Sequence, residues 1–241
     1  MKYPRGPAPN LPDRFAGRPV IDAGKCGKDC VKACAESCPT GAICLKDRND
    51  MALDMGKCLF CRACEDSCVS GALRFSGSHQ LAAAYRKDLV VSSGSAQRPA
   101  NASNNKAVKM FARSLKLREV SAGGCGACEA DTNVLSTVAW DLGRFGIQFV
   151  ASPRHADGLF ITGPVSRNMK EALLKTYEAV PSPKIVIACG ACAISGGPYI
   201  GHNEVCDGVG GVLPVDLYIP GCPPHPLTIL DGLLRFLEIT K

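Results

Sequence analysis

The stretch KIVIACGACAISGG, residues 184–197, runs from an unbroken apolar segment straight into a glycine-bounded loop that carries Cys192. A run this apolar reads as a strand covered on both faces, the condition of strands in a parallel sheet sandwiched between helices. Four more segments read the same way: LREV (117–120), IQFVAS (147–152), GLFITG (158–163) and VDLYIPG (215–221). Between them, Ala130, Val134, Val138 and Leu142 recur at helical spacing, as do Met169, Leu173, Tyr177 and Val180. A last helix is expected over Leu227, Leu230, Leu234 and Leu237, behind prolines at its entrance. Strands alternating with helices imply a parallel α/β sheet. Cys125, Cys128, Cys192 and Cys222 each fall in a Gly-rich or Pro-bounded loop just after an expected strand. Open α/β sheets hold their ligands on that side. Cys189, at the end of its strand, reads as a core thiol, and Cys206 is left open.

The N-terminal part is organised by cysteine instead. CLFCRACEDSCVSGAL, from Cys58, holds Cys58, Cys61, Cys64 and Cys68 in C-x2-C-x2-C-x3-C, the run associated with 4Fe-4S binding. CGKDCVKACAESCPTGAI, from Cys26, repeats the idea with Cys26, Cys30, Cys34 and Cys38, each separated by three residues. Three thiolates on a tight loop serve one cluster while the fourth reaches the neighbouring one. That crossed rule assigns Cys26, Cys30, Cys34 and Cys68 to one cluster and Cys58, Cys61, Cys64 and Cys38 to the other. Zinc is the competing reading, but zinc sites usually space two cysteine pairs farther apart. Cys44 is left over, and a buried structural thiol is expected.

Fifteen cysteines in 241 residues would suit a disulfide scaffold only in an oxidising compartment. The chain shows no apolar run of about 18 residues, no signal core and no twin-arginine signature, so a cytoplasmic location is expected. The composition, 46% apolar and 21% charged, is that of a globular protein. The formal charge of +6 counts every thiol as neutral. Three oxidised 4Fe-4S clusters on twelve thiolates would contribute about −6, which removes the case for nucleic acid. No G-x-G-x-x-G and no phosphate loop occur, so a nucleotide site is not expected.

The segment 20–76 resembles the two-cluster bacterial ferredoxins. Farther on, REVSAGGCGACEAD, ASPRHADGLFITGPVSRNM, IACGACAISGG and VDLYIPGCPPHP occur in that order. Together they resemble the family that joins the B subunit of NADH:quinone oxidoreductase (respiratory complex I) with the small subunits of membrane-bound energy-converting [NiFe] hydrogenases of the formate hydrogenlyase type. The resemblance implies that Cys125, Cys128, Cys192 and Cys222 hold one further 4Fe-4S cluster. It also implies that Glu129 lies near a large-subunit active site and passes protons; the alternative is an acid at a helix start, favoured by the dipole. Complex I subunits have adjacent cysteines at the first position, whereas two residues separate Cys125 from Cys128, as in the hydrogenases. SPRHAD, with Arg154 and His155, points the same way.

The expected architecture is a 1–19 extension, a small α+β ferredoxin domain over 20–76 with two clusters, a linker over 77–109 that includes the polar SSGSAQRPANASNNK (92–106), and a flavodoxin-like α/β domain over 110–241 with one. The basic stretch KMFARSLKLREV (109–120) is amphipathic; a solvated face is its default, and the resemblance implies contact with a membrane-side partner. The expected function is electron transfer through three 4Fe-4S clusters to or from a hydrogenase-type large subunit. Its partners would be that subunit, membrane subunits of an ion-translocating complex, and a soluble electron donor or acceptor. The chain would then sit on the inner face of the cell membrane through those partners. A quinone-reducing complex and a free ferredoxin-like carrier remain as alternatives.

Overall fold

The computed structural model describes residues 2–26, 33–45, 51–95, 100, 106–111 and 114–240. The N-terminal unit contains β1 (Pro19–Ile21), α1 (Ala33–Glu36), β2 (Ile43–Leu45), β3 (Met51–Asp54), α2 (Ala63–Asp66), β4 (Leu73–Phe75) and β5 (Val90–Ser92). β1 pairs antiparallel with β4, and β3 lies between β2 and β5 in a second antiparallel sheet. The repeat seen in the sequence is repeated in space. α1 and β2 recur as α2 and β4, and the glycines of the two TGAI and SGAL tails, Gly41 and Gly71, have φ of 59° and 63°.

The second unit follows as α3 (Lys106–Phe111), β6 (Leu115–Ser121), α4 (Ala127–Val134), β7 (Ile147–Phe149), β8 (Gly158–Thr162), α5 (Arg167–Ala179), β9 (Ile185–Cys189), α6 (Ala191–Ser195), β10 (Leu217–Ile219) and α7 (Pro226–Phe236). Its five strands are all parallel, in the order β10-β9-β8-β6-β7. This is the flavodoxin-like order, with the topological switch between β6 and β8. Every expected strand is present. Along β9, Ile185, Ile187 and Cys189 pack with Leu230 and Leu234 of α7. Val186 and Ala188 pack with Leu173 of α5 on the opposite face. This two-sided burial is why the run carries no polar alternation.

Two expectations need correction. The Ala130 to Leu142 stripe is not one helix: α4 stops at Val134, Val138 is 97% exposed, and Leu142 is buried on a separate turn. The chain tightens there through successive i to i−3 bonds of Leu135, Ser136 and Thr137, and the Thr137 hydroxyl donates to the Val134 carbonyl. Cys44 is exposed, because β2 buries Ile43 and turns its next residue outward. Of the stretch expected as a linker, 96–99 and 101–105 lie outside the described residues; ahead of them Leu81, Ala83, Leu89 and Val91 are buried, and Ala83 exchanges backbone hydrogen bonds of 3.0 and 2.9 Å with Tyr218. These apolar residues lie where the two units meet. One core therefore runs through both units, with Leu53, Leu73 and Leu89 in the same cluster as Leu159, Leu173 and Ile194. Among the described residues, no helix is long and apolar enough to cross a membrane.

The N-terminal residues close over the second unit. The buried Tyr3 donates its hydroxyl to Asp231, whose carboxylate is 1% exposed and also accepts from Arg235 Nε at 2.9 Å. Arg144 Nη2 reaches the Tyr3 carbonyl at 2.8 Å. A buried carboxylate stripped of its cation is strongly destabilising. Arg235→Ala is expected to cost about 3 kcal/mol in equilibrium denaturant unfolding of the full chain, whereas replacing the exposed Lys175 should leave stability nearly unchanged.

Candidate metal centres

The cysteines gather in sets. Cys38, Cys58, Cys61 and Cys64 line one small cavity together with Thr40, Leu53 and Phe75. The fourth member, Cys38, comes from the other half of the repeat. Burial, and then the charges of the neighbouring sulfurs, push the Cys58 and Cys64 thiols up to about 12. The loop carrying them turns tightly enough to hold Phe60 and Arg62 at φ of 55° and 65°, in the left-handed region. That turn presents the Phe60 N–H to Cys58 Sγ at 3.3 Å. Cys38 Sγ accepts from the Ala42 N–H at 3.2 Å.

Of the second set, Cys34 is buried in the core, and Cys26 and Cys68 are half-buried against it. Cys30 lies outside the described residues. Burial raises the Cys68 pKa, but N–H groups of Leu73, Ala72 and Gly71 and the Ser70 hydroxyl together outweigh it and lower the thiol below its ordinary value. Such donors favour the thiolate.

The third set sits at the carboxyl edge of the parallel sheet. Cys125 and Cys128 follow β6 at the head of α4, Cys192 follows β9 on α6, and Cys222 follows β10. Burial raises Cys128, and the charges of Glu129, Cys192, Cys222 and Cys125 add to it. Cys192 is pushed up to about 11 by burial and then by Cys222 and Cys125. The backbone leaves room for sulfur at Gly190, where φ is +92° and a β-carbon would lie 2.6 Å from Cys128 Sγ. The third set is not isolated from the first: after burial and Cys125, the charge that raises Cys222 is that of Cys61. Cys61 and Cys222, from opposite units, are thus near enough for the charge of one sulfur to act on the other.

Sulfurs that raise one another's pKa are poor thiolates at neutral pH unless a cation sits among them. Among the described residues, no three His, Cys, Asp or Glu side chains gather closely enough to hold a single metal ion. Zinc draws its sulfurs to about 2.3 Å from one centre. An iron-sulfur cluster instead takes one thiolate per iron, spread around a shared volume. The cavity-lining arrangement fits the cluster.

Glu129 accepts a 2.7 Å hydrogen bond from the Thr162 hydroxyl. Burial would raise its pKa, but the Ser121 and Thr162 hydroxyls hold the carboxyl below the usual range. Glu119 is the site residue that sequence reading missed. It lies on β6 opposite Phe160, with Oε1 buried and, among the described residues, without a hydrogen-bond partner. Its signal was available, since Leu115, Leu117 and Glu119 share one strand face at period two and the first two are fully buried. Cys189 is fully buried as expected, Cys206 is half-buried, and His202 is exposed. His225 caps α7 by accepting the Leu227 N–H at 3.1 Å. Arg154 and His155 are exposed just before β8, at the amino edge of the sheet and away from the third cysteine set.

Burial and then the Glu129 charge raise Glu119 to about 7, against the weaker opposing effect of Arg118. A carboxyl raised on folding binds more protons folded than unfolded, so its contribution to stability falls as pH rises from the unfolded carboxylate pKa toward 7. Glu119→Gln is therefore expected to unfold at a higher temperature than the parent above pH 7, with the advantage shrinking as pH falls toward 5. Parallel thermal scans of the two proteins check this.

The family model described as NADH ubiquinone oxidoreductase, 20 Kd subunit, matches residues 125–236, a span that begins at Cys125 and includes Cys128, Cys192 and Cys222. Formate hydrogenlyase subunit 7 of Escherichia coli is 44% identical over 136 residues, 56% of this chain and 52% of its own length. The chain thus spans about half of that relative. The B subunit of the NADH-quinone oxidoreductase of Desulfovibrio desulfuricans is 42% identical over 116 residues, 48% of this chain and 63% of its own. The membrane-bound hydrogenase subunit mbhJ of Pyrococcus furiosus is 40% identical over 130 residues, 54% of this chain and 78% of its own. With that coverage and the cysteine loops inside the matched span, the chain belongs to the NADH ubiquinone oxidoreductase 20 Kd subunit family.

Proposed function

We propose that this chain is the electron-transfer subunit of a membrane-associated oxidoreductase complex, joining a soluble electron donor or acceptor to the active site of a hydrogenase-type large subunit. The observation that carries the reading is the seam between the units, where the hydroxyl of Ser195, on the helix that carries Cys192, donates at 2.8 Å to the carbonyl of Gly56, two residues before Cys58, and so brings the N-terminal cysteines and the family's own cysteine loops to one junction. A protein that used its cysteines for separate structural ions would have no need of that junction. The ligand sets are Cys26, Cys30, Cys34 and Cys68; Cys38, Cys58, Cys61 and Cys64; and Cys125, Cys128, Cys192 and Cys222. The recurrence of helix, glycine turn and strand in the two halves supports 20–76 as a two-cluster ferredoxin unit. A bound 4Fe-4S cluster takes up or gives off a single electron, at a potential set by its hydrogen bonds and exposure.

The chain's own residues then have definable tasks. The N–H groups on Cys38, Cys58 and Cys68 stabilise negative sulfur, and Leu53 and Phe75 keep water from the first cavity. Cys125 and Cys222 are exposed, which supports a large subunit closing over the third set. The two-residue separation of Cys125 and Cys128 and the hydrogenase names of two relatives favour the hydrogenase branch. Attachment at the inner face of the cell membrane would come through partner subunits. Glu129, anchored by Thr162 beside the third set, is the residue proposed to pass protons to the partner.

The test is metal content of the complex that co-purifies anaerobically with the tagged chain. About twelve irons on this subunit, at four per cluster, with one nickel on its partner is the expected result. The same iron without nickel moves the reading to a quinone-reducing complex, and no partner moves it to a free carrier. Cys192→Ser should remove the third cluster's paramagnetic signal and leave the other two; loss of all three would sink the ligand division. Glu129→Gln retains the Thr162 donor and every signal, and proton-coupled turnover of the complex should fall by about 100-fold.

A further inference from the structure

Between the turn that precedes Cys58 and helix α6, a group of polar contacts ties the two units together through side chains that bear no part of the ligand sets above. Asp54 ends β3, four residues before Cys58. Its carboxylate accepts Arg86 Nη1 at 2.7 Å, Arg86 Nη2 at 2.6 Å and the Gly56 N–H at 2.9 Å. Its carbonyl accepts the Lys57 and Cys58 N–H groups, both at 3.1 Å. The turn that launches the cysteine loop is thus shaped by one side chain, and Arg86 is held in a two-pronged grip. On the same turn, the Lys57 carbonyl accepts the hydroxyl of Thr40, two residues beyond Cys38, at 2.7 Å.

The far side of the turn meets the second unit. The Gly56 carbonyl accepts the hydroxyl of Ser195 at 2.8 Å. Ser195 is 7% exposed and lies on α6, three residues beyond Cys192. A β-carbon on Gly56 would lie 2.8 Å from Ile194 Cγ2 and 2.8 Å from Arg86 Cζ, so the turn sits on α6 with no space to spare. Arg86 is also near enough to Tyr218 for its charge to act on the phenol, and Tyr218 on β10 is bonded through its backbone to Ala83. The elements touched, α6 and β10, are the two that lead to or carry Cys192 and Cys222.

We infer that Asp54, Gly56, Arg86 and Ser195 form a latch that fixes the separation of the Cys58 to Cys64 loop from the Cys192 and Cys222 loops, and act as positioning residues for electron transfer between them. The inference rests on the proposed function. Electron tunnelling falls exponentially with separation, so a junction between two units needs a rigid spacer. The buried Ser195 to Gly56 hydrogen bond and the half-buried, two-pronged Asp54 to Arg86 pair provide one, because breaking the first strands a polar group away from water.

The test uses the full-length protein, purified anaerobically with its iron, reduced with dithionite and followed by low-temperature electron paramagnetic resonance. Magnetic coupling between neighbouring reduced clusters falls as the inverse cube of their distance and splits or broadens their lines. Ser195→Ala removes the hydroxyl that crosses to Gly56, and Arg86→Lys keeps the charge but loses the two-pronged grip. The expected result is loss of splitting in both variants, with iron content and the intrinsic g-values of each cluster unchanged. Unchanged splitting at unchanged iron would overturn the latch. So would loss of iron in both variants, which would make these residues part of the fold and not a spacer. If the parent protein lacks the iron, the proposed function itself falls, and iron analysis reads that separately from the splitting.

Discussion

Gathering sulfur in one place is the constraint on which this structure depends. Burial makes ionisation of Cys58, Cys64, Cys128, Cys192 and Cys222 harder, and the negative charge of neighbouring sulfurs adds to the penalty. An inserted positive centre would reverse that balance. Backbone N–H groups are aimed at sulfur, the Phe60 and Arg62 backbones take left-handed conformations, and Gly190 stands where any side chain would collide with Cys128. None of these features improves the packing of the chain by itself.

The parallel sheet supplies the rigid edge that such a site needs. β8 and β9 are buried along their whole length, so loops that leave their carboxyl ends start from fixed points. The switch between β6 and β8 opens the crevice there. The N-terminal unit has little core of its own and borrows from the sheet: Met55 and Leu89 belong to the same apolar cluster as Ile161 and Ile194. The two kinds of cysteine loop are therefore carried by units that share one apolar interior.

Much of this was legible in the sequence, and the remainder was hidden for physical reasons. The five strands were readable because two-sided burial demands an unbroken apolar run, and the two cysteine repeats because their helix, glycine turn and strand follow one another locally. Helix α4 was over-extended because Val138 keeps the helical register while Thr137 and its neighbours end the helix through hydrogen bonds that an apolar count does not register. Cys44 was placed inside because an apolar neighbourhood does not say which way a three-residue strand faces. The packed residues between 81 and 92 lay beside a polar stretch and took on its label. Contacts such as Ser195 to Gly56, 139 positions apart, leave no periodic trace at all.

The bond from Tyr3 to Asp231 spans 228 positions, almost the whole chain. During synthesis the first cysteine-rich unit emerges while the last helix is still unmade, yet the contacts that close over the N-terminal residues come from that helix. Long-range closure of this kind is slow. The thiols from Cys26 to Cys68 are thus made before the helix that holds the N-terminal residues, and their chemistry during that interval is governed by the reducing power of the surroundings.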